Sequence, residues 1–269
     1  MNHSKNMAAA VGSSREAKIT LVGGPTVLLE LGGFRILTDP TFDPPGTYEQ
    51  AGVTLYKTAF PGLTAETVGQ IDAVLLSHDQ HADNLDHGGR QFLPRARQVL
   101  TTTVAAGRLA KNAIGLDAWK EIHLEQPNGD RLFVTATPAR HGPPGIEPIT
   151  GEVTGFIIGI DRPGDAIYVT GDTVWYEGVA EVARRFDPKV IILFAGAAKP
   201  RGPFHVTMDN NDALETANAF PNAQIIAIHN EGWKHFTEGA RGIEDSFRIL
   251  GYGARLQQLE VGESISLAI

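Results

Sequence analysis

The sequence predicts a mixed fold of the α/β (α+β) class, with β-sheets inside and helices outside. It predicts a single domain. Short runs rich in β-branched residues recur along the chain, and several are apolar throughout, as in strands covered on both faces. Amphipathic helical stretches alternate with these runs in the second half of the sequence. No internal repeat, charge block or low-complexity linker interrupts the 269 residues, so we expect one domain.

The predicted strands begin with three runs in quick succession, at residues 19–22, 27–30 and 34–38. Glycine-rich segments separate these runs, and the spacing is typical of a β-meander. Further runs of similar composition are predicted to be strands at residues 71–76, 132–136, 154–160, 166–170, 190–194 and 224–228.

Three stretches with apolar residues on one helical face are predicted to be helices. The first covers residues 179–186 and ends at an Asp-Pro pair. The second covers residues 213–220, with Thr207 as its N-cap and Pro221 as its stop. The third covers residues 243–250 and is followed by a glycine in the C-cap position.

The start of the chain differs from the rest in composition. Its apolar patch, residues 8–11, is shorter than the roughly 7–15 apolar residues of a secretory signal. We therefore interpret residues 1–16 as a flexible N-terminal lead-in and residues 17–269 as the single folded domain. No apolar run approaches the roughly 18–20 residues that a membrane span needs.

Composition and charge exclude several classes of partner and ligand. With 42% hydrophobic and 20% charged residues, the chain can bury a large core. The net charge of −8 argues against a non-specific nucleic-acid binder or a polybasic membrane-surface protein, so we expect a small-molecule substrate. The absence of cysteine excludes disulfides and thiolate metal ligands, and it fits a reducing cytoplasm, our predicted location.

Side chains that bind metals follow four of the predicted strands. The strand at 71–76 leads into a loop with three of them, and each of the other three strands delivers one more. The candidate metal ligands are His78, His81, Asp83, His141, Asp172 and His229. Strand ends in one sheet lie side by side, so residues far apart in sequence can surround one ion. Imidazoles and carboxylates suit zinc above all, with manganese or iron as alternatives, and a carboxylate such as Asp172 could bridge two ions.

Each histidine taken alone is more often structural than a ligand, and only the whole set of candidates indicates a metal site. His3, His87 and His123 are interpreted as surface residues, and the pattern leaves His235 undecided. A short loop with two histidines and an aspartate is costly to bury without a cation.

In their order, these residues resemble the metallo-β-lactamase superfamily, and in detail its branch with ascorbate-phosphate lactonases and the phospholipase D that acts on N-acyl-phosphatidylethanolamine. The segments that carry the resemblance are residues 31–40, 77–86, 137–142, 168–173, 205–208 and 228–236. The resemblance implies a four-layer αββα sandwich with one or two metal ions at one edge, and a tendency to form homo-oligomers.

The resemblance also implies roles for individual residues. His141 corresponds to the third histidine ligand, Asp172 to the bridging carboxylate and His229 to the last ligand. Asp39 corresponds to a residue behind the ligands that orients the site. His205 resembles the family's histidine on the substrate side.

The first loop departs from the family motif His-x-His-x-Asp-His. One alignment places His81 on the second histidine and Asp79 on the first, whereas the other places His78 first and Gln80 second. In both, at least one histidine is missing, and Asn84 or Gln80 would be a weak amide donor. One metal ion and two metal ions therefore stay open as alternatives.

The predicted activity is that of a metal-dependent hydrolase, in which metal-bound hydroxide attacks a carbonyl or phosphoryl centre. Asp83 would orient the water and relay its proton, and His205 would assist the oxyanion or leaving group. Trp175 and Trp233 are predicted to form part of an apolar substrate wall.

An ester, a lactone and a phosphoester all satisfy this chemistry, and we favour a lactone or other ester because no dense Lys/Arg cluster adjoins the motifs. The alternative is a non-catalytic or weakly active relative that binds a metal or small molecule and has a degraded second metal site.

Overall fold

The computed structural model describes residues 15–50, 52–109 and 111–269. Most of the lead-in predicted for residues 1–16 lies outside this part of the chain, and the first strand already begins at Glu16. In chain order the strands are β1 (Glu16–Gly23), β2 (Thr26–Leu31), β3 (Phe34–Thr38), β4 (Gly46–Gln50), β5 (Val53–Lys57), β6 (Ile71–Leu75), β7 (Ala96–Thr101), β8 (Ala113–Gly115), β9 (Glu121–Glu125), β10 (Arg131–Pro138), β11 (Thr154–Gly159), β12 (Ile167–Val169), β13 (Val190–Phe194), β14 (Gln224–Ile228), β15 (Leu256–Gln257) and β16 (Ser264–Ala268).

The helices lie between these strands and grow longer towards the C-terminus. They are α1 (Ala65–Val68), α2 (His87–Phe92), α3 (Thr103–Ala106), α4 (Glu147–Thr150), α5 (Glu177–Arg185), α6 (Asn210–Ala219) and α7 (Ala240–Ile249). None of the helices in the described part of the chain is long and apolar enough to cross a membrane.

Two seven-stranded sheets form the centre of the molecule. The first has the order β16-β1-β2-β3-β6-β7-β8, and the second has the order β15-β14-β13-β12-β11-β10-β9. β1, β2 and β3 are antiparallel neighbours, which confirms the predicted meander. β4 and β5 pair with each other in a separate hairpin.

Buried side chains divide into an inner layer and two outer layers. Ile19, Leu29 and Ile36 of the first sheet pack with Phe156 and Ile192 of the second in the central cluster. A second cluster joins the outer face of the second sheet to α5, α6 and α7, and a third joins the outer face of the first sheet to α2. The layers are therefore helix, sheet, sheet and helix, which is the predicted αββα sandwich.

One predicted helix start is wrong. α6 is capped by Asp209, whose carboxylate accepts a hydrogen bond from the backbone N–H of Asp212, and the helix begins at Asn210. The Thr207 hydroxyl oxygen instead accepts a 2.9 Å hydrogen bond from the backbone N–H of Ala198. Thr207 therefore braces a loop, because the chain has not yet turned into the helix at that point.

Candidate metal centre

The loops with ligand-type side chains leave the two sheets at one end of the sandwich. β6 is parallel to β3 in the first sheet, and β12, β13 and β14 are parallel in the second. β10 runs in the same direction as β12 because both pair antiparallel with β11. The loops after β6, β10, β12 and β14 consequently converge, and they carry His78, His141, Asp172 and His229.

Two backbone features bring the side chains into the centre. Gly171 has a φ of 63°, and a Cβ there would lie 2.6 Å from the carbonyl oxygen of Thr154, so only glycine can turn the chain into Asp172. His229 itself has a φ of 56°. A left-handed conformation in a non-glycine residue costs about 1–3 kcal/mol and is typically retained at functional sites.

Three histidines form the first group of donors, His78, His81 and His141. His81 Nδ1 lies 2.9 Å from His78 Nε2 and 3.1 Å from His141 Nε2. Ligands bound to zinc at about 2.0–2.1 Å in a tetrahedron are about 3.4 Å apart. The three nitrogens are therefore spaced like donors around a single ion.

Two carboxylates and a histidine form the second group, Asp83, Asp172 and His229. His229 Nε2 lies 3.3 Å from Asp172 Oδ1 and 3.7 Å from Asp83 Oδ2. The other oxygen of Asp172, Oδ2, lies 3.6 Å from His141 Nε2 and 4.0 Å from His78 Nε2. Asp172 thus faces both groups, one oxygen towards each, as a bridging ligand would.

Some polar atoms of these residues are buried without a hydrogen-bond partner, and a metal ion would supply one. Asp172 Oδ1 and both ring nitrogens of His229 are buried without a hydrogen-bond partner. Leaving such atoms unpaired in the interior costs a few kcal/mol each, so a native structure normally satisfies them. A cation between the two residues would satisfy Asp172 Oδ1 and His229 Nε2, and the donor set therefore fits a metal ion.

The ionisation of the site also suits a cation. Burial opposes the charge on Asp83, but His235, His229 and His81 outweigh it and hold the pKa of this carboxyl below its usual range. Burial likewise opposes the charge on Asp172, and His229 and His141 lower its pKa.

Burial lowers the pKa of His81 to about 4 and the pKa of His78 well below its usual value, with a neighbouring imidazole adding to each shift. The site therefore presents anionic carboxylates and, in these two rings, neutral imidazoles at neutral pH.

Residues behind the donors orient two of the histidines. Asp39 accepts hydrogen bonds of 2.8 Å from both the N–H and the hydroxyl of Ser77, and the Ser77 hydroxyl lies 2.8 Å from His78 Nδ1. His141 Nδ1 lies 2.7 Å from the carbonyl oxygen of Val206, to which it can only donate. These contacts direct Nε2 of both rings towards the centre.

Asp79 and Gln80 of the first loop bind partners outside the two groups. The Asp79 carboxylate accepts a 3.0 Å hydrogen bond from Arg108 Nε. The Gln80 amide donates to the carbonyl oxygen of Glu152 at 3.2 Å. Of the alternatives that the sequence left open, the structure places His78 and His81 at the centre and Asp79 and Gln80 outside it.

Three residues predicted near the substrate are not among the residues that line the cavity over the centre. His205 groups with Asp209 and Asp212, with Nε2 3.3 Å from Asp212 Oδ2. Trp175 packs against the cluster under the outer helices, and Trp233 packs beside Tyr48 in the hairpin cluster. Their catalytic or substrate-binding roles stay predictions.

Two features of the site escaped the sequence reasoning. His235 Nε2 lies 2.9 Å from Asp83 Oδ2, although the sequence left this histidine undecided. Its only signal was its place in the same loop as His229. The β4–β5 hairpin was also missed, and the Gln50 side chain at its tip binds the first loop through Gln80 O and Ala82 N.

A cavity of about 210 Å³ opens over the centre. His81, Asp83, His141 and His235 lie at its polar end. Its apolar walls come from the hairpin, α4 and the loop before α6, through Val53, Leu55, Ile149 and Val206. Arg201 is the only lysine or arginine among the described residues that line it. A small, largely apolar molecule would therefore reach the donor atoms.

Comparison with known proteins agrees with this geometry. The profile of a family described as "Beta-lactamase superfamily domain" matches residues 34–230, which is more than half of the chain. The chain is 25% identical over 255 residues to the UPF0173 protein YddR of Bacillus subtilis, covering 91% of this chain and 98% of that protein.

Two further similarities extend the comparison. N-acyl-phosphatidylethanolamine-hydrolyzing phospholipase D 1 of Caenorhabditis elegans is 26% identical over 232 residues, which cover 78% of this chain and 62% of that longer protein. The crystal structure of isothiocyanate hydrolase from Delia radicum gut bacteria superposes with a TM-score of 0.81 at 23% identity, covering 94% of this chain and 100% of that one.

Proposed function

The chain belongs to the beta-lactamase superfamily, and from that premise we propose that it is a metal-dependent hydrolase of small esters or lactones. The observation that carries the proposal is Asp172, which faces the three-histidine group with one oxygen and the Asp83/His229 group with the other. Two proteins to which the chain is similar, the phospholipase D and the isothiocyanate hydrolase, are named as hydrolytic enzymes, which supports hydrolysis as the class of reaction.

Zinc is the metal that the donors favour, as one or two ions. Imidazole nitrogens and carboxylate oxygens without thiolates suit zinc, and they also suit manganese and iron. In such a site a metal ion supplies a hydroxide nucleophile at neutral pH and polarises the oxygen of the electrophile. His78, His81 and His141 would hold one ion, and Asp83, Asp172 and His229 would hold a second.

Asp83 is the residue best placed to handle a proton. Its carboxylate lies on the wall of the cavity, next to the donors that would hold the metal. We infer that Asp83 orients the attacking water and accepts its proton at a carboxylate oxygen.

The shape and charge of the cavity support a lactone or simple ester as substrate. Val53, Leu55 and Ile149 would contact the apolar part of such a molecule, and its carbonyl would reach the polar end at His81 and His141. A phosphorylated sugar would need several cations, whereas Arg201 is the one that the described lining provides. We therefore favour a substrate whose body is apolar and whose reacting carbonyl is its main polar group.

The test combines metal content with turnover. Protein purified without added metal is analysed for bound metals, reloaded with zinc, and assayed against a panel of short-chain esters, lactones and phosphodiesters. We expect hydrolysis of esters or lactones, its loss on chelation, and loss of both metal and activity in Asp172→Ala. A zinc-loaded, folded protein with no turnover on the whole panel would overturn the proposal.

That same negative result would support a second candidate, a metal-binding relative without catalytic activity. The observation that favours it is Asn84, which follows Asp83 and whose buried amide has no hydrogen-bond partner. If the second ion is lost because Asn84 is a weak donor, the chain would retain only the three-histidine site.

A further inference from the structure

A further histidine, His235, contacts the second donor group through Asp83. His235 lies in the loop after β14, six positions beyond His229, and its Nε2 is 2.9 Å from Asp83 Oδ2. The His78–His81 pair, in the first group, has the same separation of 2.9 Å. We propose that His235 is a metal ligand, the fourth donor of the Asp83, Asp172 and His229 site; this inference rests on the metal centre of the proposed function.

The path of the chain brings His235 back to the first loop. After His229 the chain reverses at Gly232, whose φ is 84°, and Trp233 then bridges to Lys57 of β5. The backbone N–H of Lys199 donates to the carbonyl oxygen of His235 at 3.0 Å. These contacts anchor the loop on both sides of its turn and place the His235 ring beside Asp83.

The His235 ring is mostly buried at the wall of the cavity and is not a surface side chain. The His235 side chain is 8% exposed, and its Nδ1 is buried without a hydrogen-bond partner. Phe236 supports the rings of both His229 and His235, with centroid distances of 4.7 Å and 4.6 Å. His229 and His235 are thus held as a pair, and Asp83 Oδ2 lies within 3.7 Å of Nε2 in both.

Asn84 is the competing candidate for the fourth position. It is fully buried, and neither its amide nitrogen nor its oxygen has a partner. A neutral amide is a weaker ligand for zinc or iron than an imidazole nitrogen, which is the commonest metal ligand at neutral pH. With His235 in the fourth position, the second site would hold two nitrogens and two carboxylates, a set that suits zinc or iron better than magnesium.

Metal stoichiometry tests the assignment without reference to activity. We expect about two zinc ions per chain in the wild type and in Asn84→Ala, and about one in His235→Ala and His235→Gln. His123→Ala, which removes a half-exposed histidine of β9 that pairs with Glu121, is the matched control and should keep both ions. Thermal unfolding of each metal-free variant shows whether it is folded.

Three results would overturn the inference. The first is that folded His235→Ala retains two ions, and the second is that Asn84→Ala loses one ion while His235→Ala does not. The third is that the wild type binds only a single ion. If His235→Ala does not fold, ¹⁵N NMR of the histidine rings in the zinc-loaded wild type decides instead, because His235 Nε2 must then show the shift of a metal-bound nitrogen. If two ions bind and one of them depends on His235, but no substrate is hydrolysed, the inference stands and only the proposed hydrolase activity is refuted.

Discussion

Replacing Lys57 with methionine should destabilise the fold by about 3 kcal/mol, because it removes one partner of a buried ion pair. Lys57 Nζ lies 2.9 Å from Asp86 Oδ2, and the two side chains are 6% and 0% exposed. Removing one member of such a pair typically costs about 3–5 kcal/mol, since the other charge stays buried.

We use the lower end of that range because Asp86 keeps other donors. Its carboxylate also accepts hydrogen bonds from the backbone N–H groups of Phe42, Asp43 and Gly89, at 3.0, 2.8 and 2.8 Å. In a chain of this size about 1 kcal/mol corresponds to about 2–4 °C, so the melting temperature should fall by about 6–12 °C.

The assay is thermal and urea unfolding of the metal-free protein, which removes the contribution of bound metal to stability. Lys18→Met is the matched control, because Lys18 pairs with Glu30 at 3.3 Å while its side chain is 54% exposed. Exposed pairs contribute about 0–1 kcal/mol. If Lys57→Met costs no more than Lys18→Met, the backbone donors alone hold Asp86 and the reasoning is refuted.

Three further predictions concern the centre itself. Asp39→Ala removes the acceptor that fixes Ser77 behind His78 and should weaken zinc binding about 10–100-fold, as measured by chelator competition; unchanged affinity would contradict the orienting role. The pKa of His81 is lowered to about 4, so the unfolded chain binds the extra proton first and the metal-free protein should lose stability as pH falls from about 6.5 to 4. His81 contributes about 3 kcal/mol to that loss, and His81→Gln should flatten the profile; parallel wild-type and variant profiles would be inconsistent with a buried neutral ring. His205→Ala should lower kcat and leave zinc content unchanged if His205 acts on the substrate side, and an unchanged kcat would exclude that role.

The strands most accurately predicted are those buried on both faces. β3, β13 and β14 have the bounds predicted from the sequence, and most or all of their residues are buried. A continuous apolar run is visible in the sequence whatever its neighbours are. β9 and β16, by contrast, lie at the sheet edges and alternate exposed residues with half-buried ones, apart from one buried residue in β9. β16 becomes a strand by pairing with β1 at the other end of the chain.

The ligand types and their order along the chain were predictable because strand ends are local features. The sequence could not decide between His78 and Asp79, or between Gln80 and His81, for the first group. That choice depends on Arg108 and on the carbonyl of Glu152, which bind Asp79 and Gln80 from distant parts of the chain.

The sequence by itself therefore determined that sheets lie inside and helices outside, the absence of thiolate ligands and the candidate donors, since composition and strand pattern contain this information. The four-layer sandwich was implied by the resemblance to a known superfamily. Only the tertiary structure decided which donors meet. In the folded chain His205 lies beside Asp209 and Asp212, and His235 lies beside Asp83. The physical reason is that a loop's path is set by its partners, here the bridge between Trp233 and Lys57, and no local spacing encodes such a contact.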